Sequence, residues 1–143
     1  MSIDLLANIT KEGHFKWSEY LWQQGFKQYG QPTPEQQANI ILLFTRIEEY
    51  IREPFGQSLT ISSGFRSDAY TANLRARGIP AALHSAHNTG EAVDLHIPRN
   101  KTPRQFWDWC SARWPGRMEL SSFTPTWCHL DIRQWSQKVR FAP

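Results

Sequence analysis

Cysteine is scarce in this chain of 143 residues: there are two, Cys110 and Cys128, and no CxxC spacing. That leaves room for one bridge at most and excludes a thiolate zinc cluster; without a secretion signal two such cysteines are more often free thiols, and both read as structural. Long apolar runs are missing too. No stretch approaches the roughly 18 residues a membrane helix needs, so no membrane span is expected. Met1 to Thr10 carries Asp4 and no basic cluster ahead of an apolar run, so it does not read as a secretory signal, and synthesis in the cytoplasm is expected. Internal repeats and low-complexity tracts are absent. An excess of one charge sign is nearly so: 16 basic residues against 13 acidic ones leave a net charge of +3. The basic residues Arg75, Arg77, Arg99, Lys101, Arg104, Arg113 and Arg117 are dispersed rather than clustered, which argues against nucleic-acid binding. A mild positive surplus would favour an anionic partner such as a cell-wall polymer.

What is present is an ordinary globular balance, with hydrophobic residues at 40% and charged ones at 20%. That is enough for one core, so the expectation is a single monomeric domain over residues 1–143, with 1–13 a loosely ordered lead. The spacing predicts a short aromatic-rich helix from about Lys11 to Gly25. A stronger helix opens at Thr33-Pro34-Glu35-Gln36, a capping box with proline in the first turn, and carries Ile40, Leu43, Phe44, Ile47 and Ile51 at helical spacing until Pro54 and Gly56. A strand over Ser58–Ser62, a turn at Ser63–Ser67 and a helix over Asp68–Arg77 follow, with Gly78 as its stop. Ile79–Gly90 reads as an irregular loop. Ala92–Ile97 alternates as a strand, Thr102-Pro103-Arg104-Gln105 caps another helix, and Arg117–Ser121 with Trp127–Ile132 suggests a hairpin. The order of elements predicts an α+β fold: a small, mainly antiparallel sheet against N-terminal and flanking helices.

Chemistry concentrates in two of these strands. In Ala92–Ile97 the apolar Val93, Leu95 and Ile97 take one face, and Ala92, Asp94 and His96 the other. In Trp127–Ile132 Cys128, Leu130 and Ile132 oppose Trp127, His129 and Asp131. If the strands pair, Asp94 and His129 share one polar face, and His87 can reach it from the loop. Two imidazoles and a carboxylate with one position left open are a catalytic zinc set, here for one Zn2+ ion. The plainer reading, hydrogen-bonded histidines and a turn aspartate, stays open on spacing alone.

The segment Ser85-x-His87-x-x-Gly90-x-Ala92-x-Asp94, with the aromatic-x-His-x-Asp strand at Trp127–Asp131, resembles the zinc D-alanyl-D-alanine peptidases. These share their fold with the hedgehog domain and belong to the wider lysostaphin and D-Ala-D-Ala metallopeptidase group. Ser63-Gly64-Phe65-Arg66-Ser67, with Asn73 downstream, is similar to that family's Ser-Gly-Tyr-Arg-Ser segment, and His14–Tyr20 and Arg52–Gly56 fit its phage and bacterial members. The resemblance implies His87, Asp94 and His129 as zinc ligands and Arg66 as a catalytic arginine near the scissile bond. Ser85 is implied to support the ligand loop and Trp127 to contact substrate. It departs from the family at Thr126, where many relatives carry the glutamate base three residues before the last histidine. Asp131 is the expected base, with Glu119 and His96 as alternatives.

These residues together imply a zinc peptidase that cuts the stem peptides or cross-links of bacterial peptidoglycan, as a carboxypeptidase or an endopeptidase. A phage lysis enzyme or virion-associated wall hydrolase fits the missing signal. The competing expectation is a zinc-containing wall-binding module of the same fold that hydrolyses nothing; Thr126 in place of the glutamate is its support.

Overall fold

A computed structural model describes residues 2–82 and 84–143. The chain opens with a return rather than a free lead. Asn8 bridges Lys16, the Ile9 amide donates to the Phe15 carbonyl at 2.9 Å, and the Trp17 amide donates to Ala7 at 3.1 Å. With Ile9 buried, the segment is tied to the core well before residue 13. Those pairings, closed by a turn in which the Gly13 amide donates to the Thr10 carbonyl, take up the first residues of the expected helix over Lys11–Gly25, which contracts to α1, Trp17–Leu21. Its far end is lost to a two-stranded hairpin, β1 (Trp22–Gln23) and β2 (Gln28–Tyr29), where the Trp22 and Tyr29 rings meet edge-on at 5.0 Å.

Helix α2 (Pro34–Ile47) follows its sequence cues. Thr33 and Gln36 cap each other reciprocally, and Ile40, Leu43, Phe44 and Ile47 form the buried stripe. The helix runs on through a π-helical stretch, Glu48–Arg52, into a single turn, α3 (Glu53–Phe55), and stops at Gly56 in the left-handed region, φ +71°. Next come β3 (Ile61–Ser63), later than the expected Ser58–Ser62, and α4 (Asp68–Ala76). The supposed loop before Gly90 contains a four-residue helix, α5 (Ala86–Thr89). The remaining elements are β4 (Ala92–His96), α6 (Pro103–Arg113), β5 (Arg117–Glu119), β6 (Trp127–Asp131) and β7 (Arg140–Phe141), the last with no counterpart in the sequence reading.

Five strands form one sheet in the order β3-β4-β6-β5-β7, antiparallel throughout except for the β5–β7 pair. The fold is therefore α+β with a mainly antiparallel sheet. One face is core: Val93, Leu95, Met118, Cys128 and Leu130 are fully buried, in one cluster with α2 and with Phe106 and Cys110 of α6. Each such side chain contributes about 1.5–3 kcal/mol, which pins the register, because a one-residue slip would turn all of them outward. The opposite face inherits the alternate residues. Ser63 stands opposite Asp94, Asp94 opposite His129, and Glu119 opposite Phe141. The β5–β6 pairs Arg117 with Asp131 and Met118 with Leu130 carry Glu119 to His129. One transverse row thus crosses all five strands: Ser63, Asp94, His129, Glu119, Phe141.

Candidate metal centre

Asp94 and His129 come together because their strands pair residue for residue. The Asp94 Oδ1 lies 2.9 Å from His129 Nδ1. His87 approaches the same oxygen from α5, with Nε2 at 3.3 Å, and all three side chains are buried. The alternation of β4 and β6 predicts this meeting of Asp94 and His129 correctly.

The placement of His87 depends on a web of local bonds. The Ser85 Oγ accepts from the His87 amide at 3.1 Å, and the Asn88 side chain accepts from the Ser85 amide at 3.2 Å, a reciprocal cap on α5. Gln36 and Asn39 of α2 donate side-chain amides to the Asn88 and Thr89 carbonyls, at 3.2 and 3.0 Å. Gly90 closes the turn at φ +79°, where a Cβ would sit 2.7 Å from Ile40 and 2.9 Å from the Gln36 carbonyl, so glycine is required twice over. The Arg66 amide donates to the His87 carbonyl at 3.1 Å, and the Asn88 Nδ2 donates back to the Arg66 carbonyl at 3.1 Å and to Thr71 at 2.9 Å. Segment Ser63–Ser67 and α5 are thereby clipped to each other.

Each imidazole has its outer nitrogen occupied. His87 Nδ1 donates to the Gly64 carbonyl, which can only accept, at 2.8 Å, and this leaves Nε2 turned toward Asp94. His129 Nε2 donates to Asp131 Oδ2 at 3.4 Å, leaving Nδ1 turned toward Asp94 and Glu119. Outer partners of this kind fix the orientation of metal-binding histidines. The three inward atoms lie within 4.8 Å of one another. Around a tetrahedral zinc at about 2.0–2.1 Å, donor atoms stand on the order of 3.3 Å apart, close to the 2.9 and 3.3 Å found here. A buried convergence of two imidazoles on one carboxylate oxygen suits a dication, and His87, Asp94 and His129 could hold one zinc ion.

The metal-free electrostatics say the same. Burial alone would raise the Asp94 carboxyl, but the charge and hydrogen bonds of His87 and His129 outweigh it and hold Asp94 well below the usual carboxylate range. Burial would lower His129, but its bonds to Asp131 and Asp94 and the negative charge of Glu119 raise it to about 9. A neighbourhood this negative retains a proton wherever it lacks a cation.

The remaining candidates separate. Asp131, expected as the base, is fully buried behind His129. Both its oxygens are taken, by the Arg133 amide at 2.8 Å and by the Arg133 guanidinium at 2.7 to 3.2 Å, as well as by His129. That places it on the side of the imidazole away from Asp94, since a two-residue spacing on a strand shares a face but not a position. Glu119 is on the inner side: its Oε1 is 3.4 Å from His129 Nδ1 and its side chain is 18% exposed, open to water. Thr126 lies exposed in the turn before β6. His96 points into a shallow depression beside Gln57, Ser58, Thr60 and Ile97, one turn of the pleat beyond Asp94 and outside the metal cluster. Trp127 pairs with His96 at the open end of β6 and is half-buried. The half-buried Arg66 donates to Ser63 Oγ at 3.2 Å, next to Asp94 in the transverse row. Of the tryptophans considered for a groove, Trp109 stacks on Phe106 and meets Phe55 edge-on in the helical layer, and Trp107 donates to the Glu119 carbonyl at 2.9 Å. Two contributors were missed. The Gly64 carbonyl has no signal in a side-chain reading, whereas the Asn88 cap was legible in Ser85-x-x-Asn88.

In a comparison with protein families, the model described as Peptidase M15 matches residues 13–131. No curated protein and no solved structure matches the chain.

Proposed function

Since the chain belongs to the peptidase M15 family, and so to the zinc metallopeptidases, we propose that it hydrolyses peptide bonds in the stem peptides or cross-links of bacterial peptidoglycan. The observation that carries the reading is the convergence of His87, Asp94 and His129 on one buried point, with a partly exposed carboxylate, Glu119, beside it.

In this mechanism His87 Nε2, Asp94 Oδ1 and His129 Nδ1 would hold the zinc. Zinc in such a site acts as a Lewis acid, bringing the pKa of water toward about 7 and polarising a carbonyl. Glu119 takes the proton of the attacking water and returns it to the leaving amine; its solvent exposure and position in the ligand row support that role over Asp131. Asp131 acts through His129, holding the imidazole by its outer nitrogen while Arg133 keeps the carboxylate charged. Arg66, clipped to α5 by its own backbone, offers its guanidinium to the carbonyl oxygen as negative charge develops there. Trp127, at the mouth of the row, supplies a flat apolar wall for the peptide. A carboxylate beside the ligands, where Thr126 offers none, supports hydrolysis over a non-hydrolytic module. The protein works as a monomer on the wall after release from the cell, as a phage lysis or virion-associated enzyme would.

The deciding experiment digests purified peptidoglycan with zinc-loaded protein, with and without chelator, and reads the muropeptides by mass spectrometry. New peptide fragments that vanish with chelator are expected. Identical muropeptides in both arms would sink the proposal.

A further inference from the structure

The metal face of the sheet carries one cation that nothing in the proposed mechanism uses. Arg117 begins β5 opposite Asp131, on the same face as Glu119 and His129. Its guanidinium carbon lies 4.1 Å over the ring of Phe141, and that ring meets the His129 imidazole edge-on with centroids 6.1 Å apart. One aromatic ring therefore separates the Arg117 charge from a metal ligand. Phe141 comes from β7, beyond the segment that matches the family.

Arg117 is half-buried, and its Nε is enclosed with no hydrogen-bond partner. Among the described residues no carboxylate forms an ion pair with it. Its neighbours are engaged: Asp131, directly across, is saturated by Arg133, and Arg66 bonds Ser63. A partly desolvated guanidinium without an acceptor is unfavourable, and stacking on Phe141 fixes its plane without satisfying its donors. The enclosed Nε is out of a ligand's reach, but the two Nη nitrogens are neither enclosed nor bonded among the described residues, and they are the donors an anion arriving with the substrate would meet.

We propose that Arg117, positioned by Phe141, binds a carboxylate of the peptide substrate close to the scissile bond. Two residues along β5 separate Arg117 from Glu119, about 7 Å at the rise of a strand. An extended peptide covers that in about two residues, which sets how far from the cut bond the carboxylate lies. Planar, paired donors match the two oxygens of a carboxylate, the anion that a peptide substrate carries. The carboxylate comes either from a free chain end or from an acidic side chain; the chemistry recognised is the same. The proposal rests on the peptidase reading and sharpens it, since it selects substrates with a negative charge near the cleaved bond.

The test uses zinc-loaded protein and three probes: acetyl-Lys-D-Ala-D-Ala as the free acid, its C-terminal amide, and the amide whose last residue is D-glutamic acid. Cleavage rates are measured on these peptides, and binding by calorimetry on their uncleavable reduced-amide analogues. Wild type is expected to bind the free acid about tenfold or more tighter than the plain amide, and Arg117→Gln and Arg117→Met to bring that ratio near one. The glutamate-bearing amide binds like the acid if a side-chain carboxylate serves and like the plain amide if only a chain end does; both results uphold the site. No acid preference in wild type, whichever variants fold, or a preference untouched in Arg117→Gln, overturns it. Binding that follows Arg117 with no cleavage of any probe would instead sink the peptidase reading and leave the carboxylate site standing. Cleavage without acid preference does the reverse.

Discussion

The two ligand histidines are held in opposite ways. His87 sits on a four-residue helix and is oriented by a neutral backbone carbonyl, that of Gly64, at 2.8 Å. His129 sits in the middle of a strand and is oriented by a charge chain, Asp131 and then Arg133. The first anchor is geometric: capped by Ser85 and Asn88, steadied by Gln36 and Asn39, closed by Gly90. The second is electrostatic and comes with the sheet register. A metal site assembled from one of each has a side held by caps and packing and a side held by charge.

The comparison is tested hardest at the carboxylate on the charged side. Glu119→Gln is expected to lower kcat by about 10²- to 10⁴-fold, with zinc content unchanged by elemental analysis, because it removes the proton acceptor and leaves the three ligands. Full activity in that variant would return the search for the base to the open face. Next in size is Asp131→Asn, which keeps the shape but not the charge behind His129. Zinc affinity should fall by about 10- to 100-fold in a competition titration with a chelator, and Arg133 would lose its partner. An unchanged affinity would mean the outer charge is irrelevant to the ligand.

The pH response probes the charged side. In the metal-free protein His129 is raised from its ordinary 6.5 to about 9. Its protonated form therefore stabilises the fold fully below about pH 6.5, and that contribution is lost as pH climbs through about 9. The metal-free melting temperature should drop by several degrees across that window, while the zinc-loaded protein stays level and Asp131→Asn shows a flatter drop. Parallel curves for metal-free and loaded protein would contradict the assignment. The smallest effect belongs to the geometric side. Ser85→Ala should cost about 0.5–2 kcal/mol of stability in denaturant unfolding, from the lost cap on α5, with little change in the pH profile. A changed profile would show that the two anchors are not independent.

How much of this was legible beforehand follows the same division. Strand alternation has a period of two and announces itself in a handful of residues, so Asp94 and His129 could be set on matching faces from sequence alone. The α2 and α6 capping boxes were equally plain. Elements whose existence depends on distant partners were not. The helix expected to Gly25 gives way to a hairpin held by the Trp22–Tyr29 contact, and α5 forms because α2 caps it from outside. β7 is two residues long, anchored by Arg140 bonds to Ser111, Trp114 and Gly116 that no local pattern encodes. The surroundings of the candidate bases were hidden for the same reason. Asp131 is near His129 in sequence, while Glu119 reaches it only through the register of β5 on β6.

The register shift in β3 between Ile61 and Ser63 decides which changes this edge can absorb. Ile61 faces Leu95 and Ser63 faces Asp94, so two steps on one strand answer one step on the other. The extra residue changes the parity of everything after it, including the carbonyl of Gly64 that fixes His87. Deleting one residue at Ser62 would restore a regular ladder and turn that carbonyl away from the imidazole. Point substitutions at Ser62 should pass easily, whereas a change of length there should not. Tolerance at this edge is governed by counting rather than by chemistry.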